Sequence, residues 1–138
     1  MLIRISALAA AVLVLLALRP TPGRLYAFHT PSNNIGCMAD DEGGRWELRC
    51  DISEKDWSGG SAGPECDLDD GDSVGMLATG RTYWVCHGDT VLGQGRALAY
   101  GESWRAGPFT CASTRAGLTC RNRAQHGFFL SRASHRVF

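Results

Sequence analysis

Polar and apolar residues alternate along much of this chain with a period of two, the spacing of strands that bury one face. Phe109-Thr-Cys-Ala-Ser113 and Leu118-Thr-Cys-Arg121 are the clearest cases. Residues 73–78, 81–87, 97–100 and 128–131 also read as short strands, set off by glycine-containing turns. Residues 53–57 suggest one helical turn, and no stretch after the N-terminus sustains a helical period. Short strands at roughly ten-residue intervals predict an all-β fold, a small disulfide-stapled sandwich or barrel of short antiparallel hairpins.

The turns fix a register. Gly43-Gly44 is a two-residue hairpin turn, because both positions accept a positive φ. Folding the chain there sets Glu42 against Arg45, Asp41 against Trp46, Ala39 against Leu48 and Cys37 against Cys50. Opposed residues on antiparallel strands are close enough for a disulfide, so turn and cysteine spacing select the same pair. The register also sets Asp40 against Glu47, an unfavourable like-charge pair. Thr114, Arg115, Ala116 and Gly117 suit a type I turn that brings Cys111 against Cys120. Cys66 and Cys86 are then paired by elimination.

Composition changes the picture at the N-terminus. Arg4 precedes an apolar run over residues 5–18. That run is shorter than the about 20 residues of a bilayer span, and it suits the core of a secretion signal. Ala27 offers a small residue for cleavage, with Leu25 two positions before it. Residues 1–27 are therefore expected to be a signal peptide, and residues 28–138 a single secreted β-domain with no membrane span. Six cysteines behind such a signal read as a disulfide framework in a secreted or periplasmic protein. The thiols are thereby set aside as nucleophiles or metal ligands, and no CxxC redox motif is present.

Formal net charge is zero, but the charges are segregated. Twelve of the fourteen acidic residues lie between Asp40 and Asp72. After Glu102 there is none, against six arginines at 105, 115, 121, 123, 132 and 136. We favour mutual neutralisation of the two segments within the molecule; the alternative is a basic face for an anionic partner.

Candidate chemistry is sparse. His87, Asp89 and His126 are the residue types of an acid/base or zinc cluster, but His-Gly-Asp-Thr also reads as a strand-ending turn, with Asp89 bonding the backbone. The acidic run at residues 67–72 fails as a calcium loop: its glycine falls at the fifth position and Ala78 stands where a bidentate glutamate is required. No nucleophile elbow and no HExxH motif occurs. No metal or cofactor is expected. Trp46 shares a face with Leu48 and Cys50 and is expected in the core, while Trp57 and Trp104 cover the edges of a thin core or sit in a surface.

Several strings resemble a family of small secreted cysteine-rich bacterial proteins of unknown function. They are Thr30-Pro-Ser-Asn-Asn-Ile-Gly-Cys37, Cys86-His-Gly-Asp-Thr90, Leu98-Ala-Tyr-Gly101 and His126-Gly-Phe-Phe-Leu-Ser131. Members of that family show TPSGNIGC, CxGDT, LxYG and GHGFxLS in this order. Asn33 and Gln125 stand where the family pattern has glycine. The resemblance implies a secreted, disulfide-bonded module and no established activity. The expected function is non-enzymatic binding in the cell envelope or exterior, through Trp104, Arg121, Arg123, Phe128 and Arg132. Its partner would be an anionic envelope polymer or an acidic protein, and nucleic acid is not expected. The alternative is a small hydrolase or metal-dependent enzyme using His87, Asp89 and His126.

Overall fold

A computed structural model describes residues 23–138. Most of the expected signal segment lies outside the described residues. The fold is all-β, two sheets packed face to face with no helix among the described residues. The first sheet contains β1 (Arg24–His29), β2 (Ile35–Glu42), β3 (Arg45–Ile52), β4 (Ser73–Leu77), β5 (Tyr83–Trp84) and β6 (Arg96–Ala97) in the order β5-β4-β3-β2-β1-β6. The second contains β7 (Ser103–Ala106), β8 (Phe109–Thr114), β9 (Gly117–Arg121), β10 (Gly127–Leu130) and β11 (His135–Val137) in the order β11-β10-β9-β8-β7.

Hairpin chemistry builds most of this. Gly43 and Gly44 both have positive φ, and β2 pairs with β3 from Glu42↔Arg45 to Ile35↔Ile52 through Cys37↔Cys50. The Asp40↔Glu47 opposition is retained. The Tyr83 hydroxyl donates a hydrogen bond to the Glu47 carboxylate. Burial, with Glu47 and Glu42 nearby, raises the Asp40 pKa above the ordinary aspartate value. Cys111 opposes Cys120 across β8 and β9.

The three disulfides are Cys37–Cys50, Cys66–Cys86 and Cys111–Cys120. The first and third sit on the facing inner surfaces of the two sheets. Their sulfurs meet in the core, with Cys37, Cys50 and Cys120 sulfur atoms within 4.8 Å of one another. Around them pack Phe28, Leu48, Val74, Met76, Phe109, Leu118, Phe128 and Leu130, all essentially buried.

Four features differ from the sequence expectation. Residues 53–57 form no helical turn; their role is to carry Trp57, whose Nε1–H donates to the Ser131 carbonyl and whose ring packs with Trp84 and His135. Of the expected strand at 81–87 only Tyr83–Trp84 forms a strand beside β4; the Val85 N–H still donates to the Ser73 carbonyl, and His87 then bridges to Asp69 instead. Likewise β6 covers only Ala97 of the expected 97–100 strand and begins one residue earlier, with Arg96 and Ala97 pairing in parallel with Phe28 and His29. Trp104 and Phe128 are core residues rather than surface ones. In Ser103-Trp-Arg-Ala106 the second and fourth side chains point inward, and Phe128 pairs with the inward Cys120.

Candidate functional site

β5 and β6 occupy opposite edges of the first sheet, so the segment between them must cross that sheet. It does so over the outer face, as a strap at residues 85–95. Gly36 is the seat of this crossing: a Cβ there would lie 2.8 Å from both the Leu92 Cα and the Val91 carbonyl oxygen. At the far side a Cβ on Gly95, itself at φ 68°, would lie 2.1 Å from the Ala27 carbonyl oxygen.

A buried carboxylate pins the strap. Asp51 projects from β3 on the outer face and is 2% exposed. Its Oδ1 accepts from Arg49 Nε at 2.9 Å and Ser73 Oγ at 2.6 Å. Its Oδ2 accepts from Arg49 Nη2 at 2.9 Å, Thr90 Oγ1 at 3.0 Å and the Val91 backbone N–H at 2.9 Å. Burial alone would raise the Asp51 pKa, but the hydrogen bonds from Arg49, Ser73 and Val91 outweigh it and hold the carboxyl below its ordinary value. Arg49 also reaches the strap directly, through the Asp89 carboxylate at 2.8 Å and the Asp89 carbonyl at 3.0 Å.

His87 latches the start of the strap. It forms a two-way backbone bridge with Asp69, beside the Cys66–Cys86 disulfide. Its Nδ1 lies 2.5 Å from the Asp89 carbonyl oxygen and its Nε2 lies 2.6 Å from the Asp72 carboxylate. A carbonyl and an ionised carboxylate only accept, so the imidazolium form satisfies both contacts. Burial opposes that charge, but the bonds to Asp72 and Asp89, with Asp51 nearby, prevail and raise the His87 pKa above the ordinary histidine value. The stability this adds is fully present below the unfolded pKa, about 6.5. It is lost as pH rises through the higher folded value. The melting temperature is therefore expected to decline from near neutral pH upward, and His87→Gln to flatten that decline. Identical pH profiles for the two proteins would contradict the latch.

These groups line an open cleft of about 370 Å³, bordered by Asp51, Asp69, Asp72, His87, Asp89 and Thr90 among others. His126 is not part of it. That residue sits in the turn between β9 and β10, where its N–H donates to Asn122 Oδ1. Asp89 meets His87 through its main chain, not its carboxylate, so it does not orient the imidazole. The three candidate catalytic residues are not brought together as a triad. The one trio of possible metal ligands within 4.8 Å among the described residues is Cys37, Cys50 and Cys120, and these sulfurs are oxidised in disulfides.

Residues 7–138 match a protein family described as a family of unknown function (DUF6636). The chain belongs to this family. No curated protein matches it, and no solved structure does. Family membership is consistent with the sequence resemblance and adds no activity to it.

Two polar residues with structural work were not singled out from the sequence. One is Asp51. The other is Asn122, buried after β9, which clips the sheets together by donating from Nδ2 to the carbonyls of Leu77 at 3.0 Å and Gly80 at 2.6 Å. Asn33 and Gln125 are the non-glycine residues with positive φ among those described, at 59° and 65°. A left-handed backbone costs a side-chain-bearing residue about 1–2 kcal/mol, partly offset by the greater unfolded-state entropy of glycine. Gln125→Gly is therefore expected to raise stability by about 0.5 kcal/mol, read as a higher urea midpoint at constant m-value. Asn33→Gly should gain less, since asparagine tolerates this conformation.

The remaining expected binding residues divide. Arg132 is engaged with Glu54 at 3.2 Å and Asp56 at 3.6 Å, the ion pairs that join the basic C-terminal segment to the acidic segment among the described residues. Arg121 and Arg123 are exposed and form no ion pair among the described residues.

Proposed function

We propose that this chain is an exported, disulfide-stabilised binding module and not a hydrolase. The observation that carries the reading is the saturation of the polar cluster beneath the strap. Asp51 accepts five hydrogen bonds, and both nitrogens of His87 are engaged. These groups hold a strap in place, which leaves neither a free general base nor an activated nucleophile beside them. Three disulfides are typical of extracellular or periplasmic proteins, which supports export.

The structure bears on where an export signal would be removed. Residues 24–27 belong to β1, which pairs residue by residue with β2 from Arg24↔Asp41 to His29↔Gly36. Tyr26 stacks on Trp46 with ring centroids 5.5 Å apart. Cleavage after Ala27 would strip these contacts, which supports a mature N-terminus at or before Arg24. Intact mass of the protein recovered from the exporting cell's envelope or medium tests both statements. A first residue between 18 and 24 supports them, Phe28 overturns the boundary, and a retained Met1 overturns export. For the non-enzymatic reading, the test is a panel of ester, glycoside, phosphodiester and peptide substrates. Turnover that disappears in Asp89→Asn, with the melting temperature unchanged, would establish the hydrolase instead.

A further inference from the structure

The second sheet has an outer face that the fold itself does not use. Its inward residues fill the core, and strand alternation sends Arg105, Thr110, Thr119, Arg121, Phe129 and Arg136 outward. Cross-strand pairing lays these out in rows, Arg105↔Thr110↔Arg121 and Thr119↔Phe129↔Arg136. The arginines therefore fall on β7, β9 and β11, every second strand, at intervals of about 10 Å across the sheet.

Charge on this face is unanswered. The sequence from Ser103 onward contains no aspartate or glutamate. Among the described residues Arg105, Arg121 and Arg136 form no ion pair, whereas Arg49, Arg96 and Arg132 all do. Two of the three are gathered: the guanidinium carbons of Arg121 and Arg136 lie 4.5 and 5.4 Å from the centre of the Phe138 ring. A ring offers each cation about 0.5–1 kcal/mol at an exposed site, but it does not remove their mutual repulsion. An anion does, and guanidinium forks match oxyanions with paired hydrogen bonds.

We propose that this face binds a linear, base-free polyanion, a polymer carrying sulfate or phosphate groups, laid across the strands of the second sheet. The inference rests on the binding-module reading and names its partner. Cations on three alternate strands of one sheet face, with Thr110 between Arg105 and Arg121, fit an extended chain better than a single ion. Phe138 already carries guanidiniums, so it is not an open platform for stacking nucleobases. A second copy of the chain offers fewer free anions than its sequence suggests, because four of the twelve residues of its acidic segment are committed internally: Asp51 to Arg49, Asp72 to His87, and Glu54 and Asp56 to Arg132.

The test is titration of the purified oxidised protein with dextran sulfate, polyphosphate, neutral dextran and oligo-dT between 50 and 300 mM salt, roughly the range over which phosphate contacts are screened. Binding to dextran sulfate or polyphosphate is expected, and whichever is tighter identifies the oxyanion; neutral dextran should not bind. Arg121→Gln with Arg136→Gln should weaken binding at least about tenfold and make the salt dependence shallower by about 1.5 in log–log slope. Arg45→Gln, an exposed arginine on the other sheet, should leave binding unchanged. Equal binding by the double variant would overturn the surface while leaving a binding module standing. Failure of the wild type to bind either polyanion, or equal affinity for oligo-dT, would overturn the inference. Detection of turnover in the substrate panel would instead remove the reading beneath it.

Discussion

Asp51→Asn is expected to lower the melting temperature by roughly 10–20 °C, the largest effect of any single substitution on the strap. Breaking a buried charge pair by removing one partner costs about 3–5 kcal/mol, and a domain of this size loses several degrees per kcal/mol. Both carboxylate oxygens of Asp51 accept, and every neighbour in contact with them donates. An amide keeps the shape but turns one acceptor into a donor that faces other donors. Arg49 would lose its principal counter-charge while its side chain is still only 19% exposed. The strap would then be held by Cys66–Cys86, the His87 contacts and the Arg49–Asp89 pair at one end and by the short β6 pairing at the other. Calorimetry gives the stability, and limited proteolysis should cut within residues 88–95 in the variant first. A variant that melts with the wild type would show that the carboxylate does not hold the strap.

The second large effect concerns the order in which the disulfides open. In mild reductant without denaturant, Cys66–Cys86 is expected to be reduced first, since Cys86 is exposed and Cys66 only half-buried. Cys37, Cys50, Cys111 and Cys120 are 0% exposed and should react only through unfolding. Loop closure makes each bond worth about 3 kcal/mol, so the set contributes about 9 kcal/mol. That is comparable to the about 5–15 kcal/mol total stability of a typical domain, and the fully reduced chain should not hold its fold. Timed alkylation with mass detection gives the order, and far-ultraviolet circular dichroism gives the fold. Simultaneous reduction of all three pairs in a chain that is still folded would contradict the buried placement of the core pair.

The sequence is most legible where turn chemistry and strand alternation act together. Gly43-Gly44 specifies the β2–β3 register residue by residue, and Thr114 to Gly117 does the same for β8 and β9. The inward placement of Trp104 was also present in the alternation of residues 103–106, hidden because neighbouring glycines and arginines made it read as surface. Phe128-Phe129 carries no alternation of its own; only pairing to Cys120 and Thr119 decides which ring goes inside. The strap was not legible at all. Residues 85–95 have no period, and the need for a crossing arises from the order of strands in the sheet, a long-range fact. Asp51 looked like one more member of an acidic stretch because its donors come from residues 22 and 39–40 positions away as well as from Arg49. Residues 24–27 of β1 read as part of a leader because they abut the apolar N-terminus.

Each of the three disulfides joins a cysteine to the next one along the chain. No bond encloses or interleaves with another, so native pairing requires no cysteine to wait for a partner beyond its successor. An oxidant acting on the chain as it emerges from N- to C-terminus would make the correct set in passing. The protein should therefore mature in a compartment that supplies oxidising equivalents without a disulfide isomerase.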